Sequence, residues 1–537
     1  MNLQTRSCGI LLHLSSLPGP HCCGDLGTAA RSFADFLDRA GQRWWQMLPI
    51  NPIDNSFSPY SSVSAFACEP LYIDLQDLLA QGLLEPCDLE NQPDSQCCKT
   101  DYNAARNYRQ VRWWKAFERF QEKHGGEKFA NEYENFLNEN QWVRRYATFM
   151  ALTEHYGTQD WTQWHEEPIR RCDPGALSVI EEKLAVRIAY HVFLQLVLDV
   201  QWRELRSYCN ERGIGLIGDI PIYVSARSAD TWAAPHLFQL DDDGKMEYVA
   251  GVPGDDFNPD GQRWNAPLYR WDVHKEQGYV WWLARFRNTL KHFDAVRLDH
   301  FIGFYNYFSM PPEPSPDNEG HWIVQPQDEL FERVFETMPH AQFIAEDLGV
   351  MNDGVAALRN KFNFPGMEVF QFSFDFYRSD DPTTVWQQNS VVCTGTHDTP
   401  PLSTWLEEIL HDQQLEQHRY NTGAILWILR SFIGGTEEWK NRFGHLPLPD
   451  GRNRECSPPP ENIDRYALLR AMVEMTMYSP GNTAIFPMQD IIGAGPESRM
   501  NYPGHVDNNW CWRLNESELT NELADKFAYL TWLYGRK

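Results

Sequence analysis

The stretch Phe293-Asp-Ala-Val-Arg-Leu-Asp-His-Phe-Ile-Gly-Phe304 decides how this chain is read. Ala295, Val296 and Leu298 are strand formers, and the run ends in a charged pair before a glycine-containing turn. Arg297 and Asp299 stand two residues apart, so on a strand their side chains leave the same face. In a central parallel strand that face lies inside a sheet or barrel, where a lone charge is expensive. An arginine beside the aspartate favours the charged, oriented carboxylate. A carboxylate held in that way at a strand tip suits nucleophilic attack at a sugar carbon. A buried structural ion pair is the plain alternative for this motif taken alone.

Outward from that stretch, short apolar runs alternate with helical patterns. Gly9–Leu14, Trp44–Ile50, Ile214–Tyr223, Ala295–Asp299, Gln342–Asp347, Gly366–Phe374, Ser390–Asp398 and Asn482–Met488 read as strands. Helices are expected at 30–40, 184–212, 328–338, 352–361, 402–411 and 463–478. Strands separated by helices pair in parallel, and eight such units close a TIM-type (β/α)8 barrel. A doubly wound open sheet competes, but no G-x-G-x-x-G follows the first strand. Residues 1–537 are therefore expected to form one catalytic barrel. Two stretches break the rhythm: a polar, mostly helical insertion at 76–180 and an irregular one at 225–275. Both are expected on the face formed by the strand C-termini.

Four carboxylates sit at or next to strand ends: Asp219, Asp299, Glu346 and Asp398. A barrel brings those ends to one face, so residues far apart in sequence become neighbours. Acids sharing one pocket repel, which pushes at least one pKa upward and can keep it protonated near neutrality. One acid as nucleophile and another as general acid suit glycosidic bond cleavage. Asp299 is the nucleophile candidate, because Arg297 is beside it. Glu346 is the acid/base candidate, ending the apolar run Phe343-Ile-Ala. Asp398, with His397 alongside, would hydrogen-bond sugar hydroxyls, whereas Asp347 points away and reads as structural. The turn Ser58-Pro-Tyr-Ser-Ser62 could present Tyr60 at the mouth of the site.

Composition narrows the class. The net charge of −27 argues against nucleic acid or an anionic membrane as partner and suits a neutral substrate. Aromatic residues make up 14%, with 21 Trp, and such rings stack on apolar sugar faces as well as filling cores. The longest apolar helical run, 184–205, is interrupted by Arg187, His191, Gln195 and Asp199, so no membrane span is expected. The N-terminus carries no signal-peptide pattern, and the scattered cysteines, with adjacent pairs Cys22-Cys23 and Cys97-Cys98, make no C-x-x-C spacing. A cytoplasmic protein without a metal site is expected. No Walker loop or H-E-x-x-H occurs, and Asp241-Asp-Asp-Gly-Lys245 reads as a solvated turn, not a calcium loop.

The motifs together resemble one family. Leu12-His-Leu-Ser-Ser-Leu-Pro-Gly-Pro20, Ser58-Pro-Tyr60, Gly218-Asp-Ile-Pro-Ile-Tyr-Val224 and Val296-Arg-Leu-Asp-His-Phe301 are followed by Ala345-Glu-Asp-Leu-Gly349, Gly395-Thr-His-Asp398 and Arg499-Met-Asn-Tyr-Pro-Gly504. In this order they resemble the 4-α-glucanotransferases of the amylomaltase type, in the α-amylase superfamily, over almost the whole chain. The resemblance implies a decorated barrel and a retaining double displacement. Asp299 would form the glycosyl-enzyme, Glu346 would act as acid and base, and Asp398 would stabilise the transition state. Asp219, Arg297 and His397 would line the subsite of cleavage, with Tyr60 stacking on that sugar. Trp264, Asp375 and Asn501 would lie in the outer substrate groove, and Tyr248–Asp256 would be a lid. After Thr-His-Asp the chain departs from the usual family run, reading Thr399-Pro-Pro-Leu402.

The implied activity moves a 4-α-glucan segment from one maltooligosaccharide to another or to glucose, with no metal or organic cofactor. An α-1,4-glucan hydrolase of the α-amylase type, with the same acids and a more open acceptor site, is the nearest alternative. A catalytically idle glucan-binding scaffold is the alternative from another class, against which the intact acids argue.

Overall fold

The computed structural model describes residues 1–93, 99–254, 261–313, 320–349, 351–374, 386–415, 425–426, 429, 432, 464–505 and 507–536. Among these run β1 (Ser7–Leu11), β2 (Trp44–Gln46), β3 (Gly215–Ile220), β4 (Val249–Val252), β5 (Gln262–Pro267) and β6 (Ala295–Leu298). Then follow β7 (Asn306–Met310), β8 (His321–Val324), β9 (Phe343–Ala345), β10 (Gly366–Val369), β11 (Ser390–Cys393) and β12 (Thr483–Pro487). β1, β2, β3, β6, β9, β10, β11 and β12 close a barrel in chain order. All its pairings are parallel, and Ser7 opposite Thr483 makes the closing seam.

Each expected strand contributes one barrel strand, but shorter than its apolar run. Gly215–Ile220 stops where Pro221 has no N–H to give the ladder. Gly366–Val369 gives way to a 3-10 turn, Phe370–Phe374. The helices arrive close to their expected places, at Thr28–Arg39, Ala185–Glu211, Asp328–Thr337, Asp353–Lys361, Leu402–Leu415 and Arg465–Tyr478.

Alternation along the strands sorts side chains into two cores. Trp44, Ile217, Ala295, Ile344, Val391 and Ile485 face inward and plug the barrel. Val296, Leu298 and Phe343 face outward onto the helices, where Phe286 meets Phe343 edge-on at 5.2 Å. Two residues beyond an inward apolar side chain, the next inward position is charged. Asp219 follows Ile217, Arg297 follows Ala295 and Glu346 follows Ile344. The barrel is thus apolar below and charged at its C-terminal end.

Between β2 and β3 run the helices Tyr102–Gln121, Glu127–Glu139, Trp142–Tyr156 and Pro174–Lys183. The first and the last of these start at a capping aspartate. Asp101 accepts from the Ala104 N–H, and Asp173 accepts from the Ala176 N–H with Pro174 at the first helical position. A small separate core of Phe149, Trp161, Trp164 and Leu177 joins this region to Trp232 in the helix Ala229–Ala233.

The stretch 225–275 is less irregular than its sequence suggests, and it does not stand alone. Its β4 and β5 belong to a four-stranded antiparallel sheet, ordered β5-β4-β7-β8, whose other two strands follow β6. Val249, Phe308 and Met310 pack together on one face of it. Among the described residues no single helix is long and apolar enough to cross a membrane.

The opposite end of the barrel is tied by two arginines. The buried Arg536 guanidinium donates to the carbonyls of Met477 (2.6 Å), Ser7 (3.0 Å) and Ser479 (3.0 Å). Arg6 donates to those of Ser479 (2.8 Å) and Met477 (2.9 Å). Met477 and Ser479 lie at the end of the helix Arg465–Tyr478, where carbonyls lack intrahelical partners and cations are favoured.

Candidate active site

Arg297 is the hub. Asp219 and Arg297 face each other across β3 and β6, and one guanidinium nitrogen lies 2.9 Å from both Asp219 oxygens and 3.0 Å from Asp299 Oδ1. The other lies 3.8 Å from Glu346 Oε2. One cation therefore serves three carboxylates. A lone buried carboxylate would cost several kcal/mol, about what removing one partner of a buried pair costs. Asp219 is wholly enclosed, and both Arg297 and the Tyr60 hydroxyl, donating at 2.7 Å, hold it. Burial still pushes its carboxyl above the usual range, with Arg297 opposing.

Glu346 ends β9 with its carboxylate in a backbone cradle. The His300 N–H donates to Oε2 at 2.7 Å and the Leu348 N–H to Oε1 at 3.0 Å. Burial, with the nearby Asp299, pushes it up to about 7. His300 reaches this position because the chain turns left-handed there, at φ 47°, directly after Asp299. That conformation is costly for a residue with a side chain. Burial lowers the His300 imidazole to about 4, so it is neutral at pH 7. Its ring stands edge-on to Trp264 of β5 at 4.8 Å, so the antiparallel sheet reaches the site through that indole. Asp299 is a quarter exposed, more open than Arg297 or Glu346.

A second wall carries Asp398, nearly half exposed. Asn501 donates from Nδ2 to Asp398 Oδ1 at 2.6 Å, and its backbone N–H donates to the His397 carbonyl at 3.1 Å. Arg499 donates to the Asp398 carbonyl at 2.6 Å. His397 stacks on Tyr60, rings 5.0 Å apart and 21° from parallel, and Trp510 lies 5.7 Å from both. Through Tyr60 and Asp219 this wall joins the Arg297 cluster.

Asp219, Arg297, Asp299, Glu346, Tyr60, His397 and Asp398 are thus linked through direct contacts, and Trp264 joins them through His300. Asn501 sits against Asp398 itself, closer in than the outer groove expected for it. Asp375 lies outside the described residues, as do Asp255 and Asp256 at the end of the expected lid. Asp347 turns away, pairing with Arg359 and accepting the Met367 N–H at 2.8 Å. His300, Arg499 and Trp510 were given no role from sequence. Arg499 and His300 both lie within family-like motifs, but nothing local marks His300 as left-handed. Among the described residues no group of three or more His, Cys, Asp or Glu could hold a metal ion.

An eight-stranded parallel barrel whose open end gathers Asp219, Asp299 and Glu346 around one arginine, with Asp398 opposite, is an arrangement suited to glycosidic bond chemistry. Residues 12–520 match the 4-alpha-glucanotransferase family. The chain belongs to that family and is an enzyme of the amylomaltase kind. It is 36% identical over 534 residues to the 4-alpha-glucanotransferase of Aquifex aeolicus, covering 99% of this chain and 100% of the relative. It is 37% identical to that of Thermus thermophilus, covering 96% of each. Among solved structures, an amylomaltase from Streptococcus agalactiae in complex with acarbose superposes with a TM-score of 0.84, at 32% identity and 99% coverage of both chains.

Proposed function

We propose that this site transfers α-1,4-glucan segments between maltooligosaccharides, or to glucose, by a retaining double displacement. The observation that carries the reading is the single Arg297 guanidinium touching Asp219 and Asp299 and approaching Glu346. In the first step the Asp299 carboxylate attacks the anomeric carbon of the donor as the glycosidic C–O bond breaks, and Glu346 gives its proton to the departing 4-oxygen. In the second step Glu346, now a carboxylate, takes the proton from an acceptor 4-hydroxyl. That oxygen displaces Asp299, which restores both acids and the α-linkage. Asp398 hydrogen-bonds sugar hydroxyls as the ring flattens, and Asn501 fixes its oxygen for that task. Asp219, Arg297 and His397 line the cleavage subsite, with Tyr60 beside them. Trp264 is read as part of the substrate groove and residues 248–254, the described part of the expected lid, as the cover that excludes water. Asp375 stays an outer-groove assignment.

The chemistry draws on side chains alone, so a chelator is expected to leave turnover unchanged. The helical region 76–180 and the antiparallel sheet are read as insertions on one catalytic barrel. A cytoplasmic location fits the buried thiols of Cys8, Cys23, Cys68 and Cys209, which form no disulfide.

The test is the product profile from pure maltotriose. Glucose plus a ladder of longer oligomers at constant reducing ends is expected, and rising reducing ends with only shorter products would mean hydrolysis. Asp299→Asn is expected to lower kcat by about four orders of magnitude or more. A 5-fluoro glycosyl fluoride should label the Asp299 peptide, and labelling elsewhere would overturn the nucleophile assignment.

A further inference from the structure

Asp490 lies just beyond β12, in the short helix Met488–Ile492, and makes no direct contact with the acids described above. Its carboxylate is buried, and among the described residues no lysine or arginine pairs with it. Two neutral donors hold it. The Thr394 hydroxyl donates to Oδ2 at 2.6 Å, and the Leu402 N–H donates to Oδ1 at 2.8 Å. These residues are the two ends of the loop Thr394–Leu402, which carries His397 and Asp398. Pro400 and Pro401 have no N–H, so Leu402 offers the first backbone donor of the helix Leu402–Leu415. A carboxylate there is favoured by the helix end and caps it from outside the local chain.

Behind the loop, Gln371 donates from Nε2 to the Pro400 carbonyl at 2.9 Å, and Thr399 Oγ1 accepts the Thr396 N–H at 2.9 Å. A water-sized cavity of about 20 Å³ lies against the loop, lined by His13, Thr396, His397, Thr399 and Asp490 among others. His13 Nδ1 is buried there without a partner. At Gly395 the chain runs so tightly that an added Cβ would lie 2.5 Å from Thr399 Oγ1. Arg499 and Asn501, which hold the other side of Asp398, sit on the same segment after β12 as Asp490.

We propose that Asp490 is a positioning residue for Asp398, clamping both ends of the catalytic loop from the neighbouring strand's segment. The proposal rests on the transition-state role given to Asp398 above. Asp490 touches no substrate, and its effect passes through the loop backbone to the Asp398 carboxylate.

A double-mutant cycle tests this, with kcat and KM measured for maltotriose acceptor and α-maltosyl fluoride donor, whose good leaving group keeps weak variants measurable. Asp490→Ala is expected to lower kcat by about 10–100-fold, as small misplacements of a catalytic group do, with KM changed by less than about twofold. Asp490→Asn should recover most of the loss, because its amide can accept from Leu402 and donate to Thr394. Thr394→Val removes one arm of the clamp at nearly constant shape, and it carries the test if Asp490→Ala does not fold. In an Asp398→Asn background each change should shrink to less than about twofold, since coupled sites are non-additive. The same loss in both backgrounds, or a change in KM alone, would overturn the clamp. So would wild-type kcat in both Asp490→Ala and Thr394→Val. Wild-type kcat in Asp398→Asn itself would instead remove the role of Asp398, and the clamp with it.

Discussion

In the proposed mechanism Glu346 has two opposite tasks, giving a proton and then taking one. Burial and Asp299 raise its carboxyl to about 7, while the His300 and Leu348 N–H groups keep the carboxylate form within reach. It is therefore largely protonated below pH 7, as the first displacement requires. The expected kcat/KM profile falls about tenfold per pH unit above about pH 7 as Glu346 loses its proton, and falls again at acid pH where the Asp299 carboxylate is protonated. Glu346→Gln should remove the alkaline limb and lower kcat on maltotriose by about 10²–10⁴-fold. A glycosyl fluoride donor, which needs no proton to leave, should still be cleaved. The same shift bears on stability. Because the folded pKa lies above the unfolded value, the folded state binds the extra proton between them, and stability falls as pH rises from about 4.5 through about 7. Glu346→Gln is thus expected to raise the melting temperature at pH 8 and to change it little at pH 4. A destabilised variant at pH 8 would mean that burial of the charge costs the fold nothing.

The antiparallel sheet is the element that separates transfer from hydrolysis in this reading. It meets the barrel site through Trp264 against His300, whose N–H orients Glu346. Trp264→Ala is expected to lower the transfer-to-hydrolysis ratio by about fivefold, the equivalent of the roughly 1 kcal/mol an aromatic edge contact supplies. Reducing-end release alongside oligomer growth would measure it, and an unchanged ratio would take Trp264 out of water exclusion. The two kinds of element were not equally legible in the amino-acid sequence. Runs such as Phe343-Ile-Ala and Ala295–Leu298 announce buried parallel strands by themselves, and the acid that follows each lands on the barrel's open face. β4 finds its second partner, β7, only beyond β6, so no local pattern in 225–275 reveals the whole sheet. Asn501 was legible as a motif residue, but its contact with Asp398 depends on how two loops meet. Asp490 reads in sequence like any acid at a strand end, because its burial is decided by residues nearly a hundred positions away.

At the scale of the molecule, catalysis at one end of the barrel depends on closure at the other. Arg536 spends its charge on carbonyls of Ser7, Met477 and Ser479, joining the start of β1 to the end of the helix before β12. Arg536→Ala leaves those carbonyls without a donor, and a loss of about 3 kcal/mol is expected from charge-assisted bonds of this kind. A lower urea midpoint with unchanged activity per folded molecule would agree, and an unchanged midpoint would not. The seam itself has a consequence in time. The Thr483 hydroxyl donates to the Leu3 carbonyl across 480 residues of chain, and β1 can close the barrel only against β12. At about 5–20 residues per second, a ribosome leaves β1 waiting on the order of a minute for that partner. When synthesis reaches β12, Asp299, Glu346 and Asp398 have been made, while the segment bringing Asp490 and Asn501 has not. In the proposed mechanism such a chain holds all three acids but still lacks the segment that fixes Asp398, so activity is expected only once the last strand closes the barrel.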